Sequence, residues 1–111
     1  MAQSFSNIVV DIAKLRDYCL SEGHPRGRHK ARVFRSRLGL TAHDAHSLRQ
    51  ALLDAARKGQ LNLLPANADE FGQRYVLDFL LTTATGSAKV RSAWIVSTGE
   101  DVLKLTSCYV L

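Results

Sequence analysis

Residues 23–39 read "GHPRGRHKARVFRSRLG", two histidines and six cationic side chains with no carboxylate among them. Side chains of these types can do chemistry on a phosphodiester. When the 2′-hydroxyl of RNA attacks its own phosphate, a base must take the hydroxyl proton, an acid must protonate the leaving oxygen, and positive charge must stabilise the phosphorane-like transition state. Histidine with lysine or arginine supplies all three without a metal. His24, His29 and Lys30 are the candidates for protons and charge, and Arg26, Arg28 and Arg32 for holding the RNA backbone. A solvated amphipathic helix whose histidines are incidental is equally compatible with this stretch.

A second set lies in "KVRSAWIV" and "LTSCYVL" near the C-terminal end. Arg91, Ser92, Ser107 and Tyr109 could hold phosphate oxygens from a sheet, and Trp94 or Tyr109 could stack on a base. Strand alternation puts Ser92 and Trp94 on one face and Arg91 on the other, with Ser107 and Tyr109 sharing a face of the last strand. The competing account makes Trp94 and Tyr109 core aromatics and the hydroxyls strand formers. Asp78, an acid within "VLDFLL", is expected to pair with Arg74 or Arg91.

Other chemistries find little footing. His43 and His46 fall on one helical face, but neither cysteine completes a zinc pattern, so no metal is expected. "TTATG" and "STGED" lack the glycine pattern of a phosphate loop, and "RSAWIVSTG" is not a nucleophile elbow, so no cofactor is expected.

These side chains need elements to position them. Ile8, Ile12, Leu15, Cys19 and Leu20 predict a first helix from 8 to 20 with Asn7 as N-cap. Ala31, Phe34 and Leu38, closed by Gly39, predict a second over about 28 to 38; its wheel turns His29, Arg32 and Ser36 outward and leaves Lys30 and Arg37 on a border. Thr41 with Asp44 is a variant capping box opening a third helix, about 42 to 58. Beyond Leu61, β-branched and aromatic residues predict strands of about 73–83, 87–97 and 104–110, with a short one near 61–64. The expected fold class is α+β: N-terminal helices packed on an antiparallel sheet of about four strands.

At 111 residues the chain is the size of one domain, 1–111, and its apolar and charged fractions, 46 % and 23 %, are those of a soluble globular protein. No apolar run is long enough to span a membrane and the start is not a signal peptide, so the cytoplasm is the expected location. Cys19 and Cys108 each sit in an apolar segment; a disulfide between them is allowed, not required. The net charge of +5 favours an anionic partner.

"HPRGRHKARVF", "VRSAWIV" and "LTSCYV" resemble small bacterial domains with an H-P-x-G-x-x-K-A-x-x-F helix, an R-[ST]-x-W strand and a closing [ST]-x-Y strand. Those domains are in turn similar to the nuclease toxins of the barnase, EndoU, colicin D and RelE group. The resemblance implies one or two helices before a four-stranded antiparallel sheet. It also implies a Lys/His cluster working with a Ser-x-Trp strand against tRNA, matched by His29-Lys30 and Ser92-x-Trp94, or Arg, Lys and Tyr chemistry, matched by Arg91, Lys30 and Tyr109. The acidic base of barnase has no clear counterpart, and the two histidines lie five residues apart rather than well separated.

The expected function is therefore a metal-independent endoribonuclease toxin acting on tRNA or other RNA, paired with an acidic antitoxin or immunity protein. The alternatives are a non-catalytic basic module that binds nucleic acid or an acidic protein, and a toxin-shaped domain with protein targets.

Overall fold

The computed structural model describes residues 5–59 and 63–111. Its first element corrects the expected helix from residue 8. Asn7–Val9 forms a strand, β1, and Ile8, Val9 and the Val10 that follows are β-branched residues that suit extended backbone better than a helical turn. Asn7 does not cap a helix; its Oδ1 accepts from the Ile8 amide, and Asp11 takes the cap role by accepting from the Ala13 amide at 2.9 Å. Helix α1, Ile12–Lys14, then widens into a π-helical turn over Leu15–Cys19, with Leu15, Cys19 and Leu20 buried.

Helix α2 spans Arg28–Leu38 and buries Ala31, Phe34 and Leu38. Gly39, at φ 68°, ends it in the left-handed conformation, its amide and that of Leu40 donating back to Arg35 and Phe34 carbonyls. The Thr41/Asp44 capping box is present, with a 3-10 turn at Ala42–Asp44 leading into α3, Ala45–Lys58. Ala45, Leu48, Leu52, Leu53 and Ala56 form its buried stripe, and Arg49 Nε donates to the Val10 carbonyl at 3.0 Å, tying α3 to the exit of β1.

Four further strands follow: β2 (Leu64–Asp69), β3 (Gly72–Thr82), β4 (Ser87–Ser97) and β5 (Val102–Val110). The expected short strand near 61–64 overlaps β2 only at Leu64; residues 60–62 lie outside the described residues. Among the described residues the sheet has five strands rather than four, in the order β1-β5-β4-β3-β2, and it is mixed: β1 runs parallel to β5, pairing Asn7 with Val102 and Val9 with Lys104. The other neighbours are antiparallel, and bulges interrupt β2 between Pro65 and Ala68 and the β4–β5 pairing at Ala93/Trp94.

The helices cover one face of the sheet. Tyr75, Leu77, Val90, Trp94, Leu103, Leu105 and Cys108 point into a continuous apolar core with Leu15, Phe34, Leu48 and Leu52. Alternation leaves Arg74, Asp78, Arg91 and Lys104 for the other face, where each is ion-paired. No helix among the described residues is long and apolar enough to cross a membrane.

Candidate functional site

The H-P-x-G turn explains how α2 is aimed. His24 Nδ1 accepts from the amides of Arg26 and Gly27 at 3.0 and 3.1 Å, doing for this turn what an Asp or Ser side chain does at an ordinary N-cap. Its ring stands edge-on to Tyr18, centroids 4.8 Å apart. A Cβ on Gly27 would collide with the Tyr18 carbonyl, so only glycine lets α2 start against the π turn.

That approach puts Lys30 between two tyrosines. Its ammonium stands 5.6 Å from the Tyr18 ring centroid and 5.1 Å from that of Tyr109, both within cation–π range. β1 pairs with β5 only at Val102–Lys104, so it does not cover the stretch of β5 that carries Tyr109. Tyr109 lies opposite Arg91 in the β4–β5 register, and Arg91 opposite Asp78 in the β3–β4 register. Arg91 donates through Nε and Nη2 to both Asp78 oxygens at 2.8 Å. Asp78, and secondarily the neighbouring Tyr109 hydroxyl, hold the guanidinium further into its charged form, while Arg91 holds the Asp78 carboxyl below the usual carboxylate range. Lys30, Tyr109, Arg91 and Asp78 thus form a row from helix to sheet.

The cationic face of α2 borders this row. Arg26, Arg28, His29 and Arg32 are exposed, and Arg35 is paired with Glu22 at 3.1 Å. His29 points to solvent on the same helix as Lys30, and His24 is committed through Nδ1 to its turn, leaving Nε2 as its available nitrogen.

Three of the expected site residues are placed elsewhere. Ser92 is fully buried: its Oγ donates to the Leu77 carbonyl at 2.7 Å and accepts from Trp94 Nε1 at 2.8 Å. Trp94, 1 % exposed, presents no ring face to a base. The R-S-x-W strand pattern therefore satisfies a buried indole N–H rather than a phosphate. Ser107 Oγ is likewise buried, without a conventional hydrogen-bond partner, yet close enough to the Cys19 sulfur to favour its ionised form. Tyr18, by contrast, belongs to the site and had no signal in the sequence, since only the π turn carries it to Lys30.

His43 and His46 are exposed, and among the described residues no three His, Cys, Asp or Glu side chains cluster as a metal site would need. Two cavities, of about 210 and 190 Å³, open elsewhere: one lined by Val9, Lys14, Ile95 and Lys104, the other by Leu40, Leu48 and Leu81. Neither is lined by Lys30, Arg91 or Tyr109. The candidate site is a surface row, suited to an extended anion lying across it rather than to an engulfed small molecule.

Over residues 2–111 the sequence matches a family described as a domain of unknown function, DUF6883. The chain belongs to that family. No curated protein and no solved structure matches it. For a DUF6883 domain of this sequence, the H-P-x-G turn, Lys30 and the Arg91–Asp78 pair stand together as one constellation, in which the turn positions and the three charged groups face outward.

Proposed function

We propose that this domain is a metal-independent endoribonuclease toxin, acting on tRNA or other RNA. The observation that carries the reading is Lys30, held between Tyr18 and Tyr109 beside Arg91, at the edge of a helix face bearing Arg26, Arg28 and Arg32. The arginines attract the phosphodiester backbone. Lys30 and Arg91 stabilise the charge that builds on the attacked phosphate, and Tyr109, between them, passes a proton to or from the reacting oxygens. His29 or the free Nε2 of His24 completes the acid–base pair at the helix end of the row. Helices preceding an antiparallel meander, together with the Lys, Arg and Tyr set, support kinship with the barnase, EndoU, colicin D and RelE group; the parallel β1 departs from that pattern. The basic face would be covered by an acidic antitoxin or immunity protein, and the site of action would be the cytoplasm.

One observation favours a second reading. Asp78 already engages Arg91 through two hydrogen bonds, which weakens Arg91 as a phosphate clamp and suits a basic module that binds RNA or an acidic protein without cleaving it.

Induced expression of the wild type beside Lys30→Ala and Tyr109→Phe separates the two. Growth arrest with discrete RNA fragments on a gel, lost in variants shown by circular dichroism to be folded, is the expected result. Intact RNA and normal growth with folded wild type would sink the nuclease and leave the binding module.

A further inference from the structure

Beneath Lys30 lie the two cysteines, both fully buried and both reduced. They are far apart in sequence but share one core cluster, on the π turn and β5, two segments that pack together, and each thiol is the largest influence on the other's ionisation. Cys19 is the last residue of the π-helical turn, one residue after Tyr18; Cys108 is on β5, one residue before Tyr109. The two cysteines therefore sit on the two segments whose rings flank Lys30.

We infer that Cys19 and Cys108 are a redox-active dithiol, which a peroxide converts to an intramolecular disulfide that locks the π turn onto β5 under the Lys30 row. Two features beyond proximity support this. The environment is asymmetric: the Cys108 thiol and amide, the Ser107 hydroxyl and the Lys30 ammonium together outweigh burial and draw the Cys19 thiol down to about 7, while Cys108, the donor, is pushed the other way. One sulfur is thus the nucleophile and the other the resolving thiol. In addition, Cys19 ends a π-helical turn, an irregularity of a kind that recurs at functional sites, rather than lying inside a regular helix that would resist moving its sulfur to the roughly 2.05 Å of a disulfide.

The Cys19 thiolate attacks one oxygen of hydrogen peroxide, the O–O bond breaks, and hydroxide leaves and is protonated to water; sulfur loses two electrons and becomes a sulfenic acid. The Cys108 sulfur then attacks Cys19 Sγ as its own proton departs, the S–O bond breaks, and a second water leaves. Because both sulfurs are buried, the rate follows opening of the surrounding turn, so a small peroxide is favoured over a bulky disulfide such as oxidised glutathione.

The formation of the cross-link stands alone; its effect on the site rests on the proposed reading of Lys30 as part of an RNA surface. Purified protein is exposed to graded hydrogen peroxide, then unfolded, alkylated and weighed intact before and after reduction. The expected product is a monomer lighter by two hydrogens, unalkylated at both cysteines, and restored by dithiothreitol; Cys19→Ser and Cys108→Ser each abolish it. Thiols that stay fully alkylatable, or that yield only interchain disulfides or sulfinic acid, overturn the proposal. Reduced and oxidised forms are then titrated with a labelled single-stranded RNA. A change in Kd of threefold or more is expected. Equal affinities would refute the control of the site, and an absence of binding in both forms, with the disulfide made, would count against the RNA reading alone.

Discussion

At the scale of single residues, Ser92 and Lys30 teach opposite lessons. Ser92 was expected to face a phosphate, but its hydroxyl lies between the Trp94 indole and the Leu77 carbonyl in the core. Ser92→Ala leaves a buried N–H without a partner, so we expect chemical denaturation to show a loss of about 1–3 kcal/mol, while RNA cleavage per folded molecule stays within twofold of wild type. Cleavage that vanished in folded Ser92→Ala protein would return Ser92 to the site. Lys30 was legible as a border residue of α2, but its cage was not: Tyr109 is named by its strand pattern, and Tyr18 only by a π turn, which no simple periodicity announces. Asp78 offers a second residue-scale test. Asp78→Asn keeps the strand and removes the charge that neutralises Arg91, so affinity for RNA should rise in a filter-binding assay, with a steeper dependence on salt. An unchanged affinity would show that Arg91 does not touch the nucleic acid.

At the scale of elements, the turn that begins α2 carries more than its charge suggests. The sequence offers His24 as a catalyst, and the structure uses its Nδ1 to cap two amides. His24→Ala should cost about 1–2 kcal/mol in thermal or urea unfolding, with His24→Asn recovering part of it; no loss in His24→Ala would mean that the turn holds without the ring. Gly27→Ala keeps a backbone that any residue adopts, at φ −89°, yet drives a methyl into the Tyr18 carbonyl. It should move α2 off the π turn and lower both stability and the effect of Lys30, read as a larger fall in cleavage than in helical content. Within the sheet, the Arg91–Asp78 tie follows the sign of a depressed carboxyl: its contribution is complete above the ordinary Asp value near 4, and it fades as pH falls through the lowered one. Asp78→Leu should therefore be less stable than the wild type at neutral pH and show a flatter acid limb, the two profiles converging at the lowest pH; profiles that stayed parallel would show that the pair contributes nothing. The helix ends and the three long strands could be read from stripes, caps and alternation, because those are local. The swap of a helix start for β1 could not, since a three-residue strand is fixed by its distant partner β5 rather than by its own pattern.

At the scale of the whole molecule, the carboxylate-free run from 26 to 37 leaves Arg26, Arg28 and Arg32 exposed at and along α2, where they dominate the sign of the net charge of +5. RNA binding measured from 50 to 300 mM salt should give a log–log slope that loses about 0.7 per arginine removed at Arg28 or Arg32. A slope indifferent to both would place the anion on another surface. The pairing of Asn7 with Val102 and the meeting of Lys30 with Tyr109 have one more consequence. On the ribosome, the segment carrying the basic helix emerges long before the strand that completes its row, and the first strand waits unpaired until the last has cleared the exit tunnel. A chain still in synthesis thus presents the basic helix before Arg91 and Tyr109 exist to complete the row, so whatever the completed row does begins only once the C-terminal strands are made.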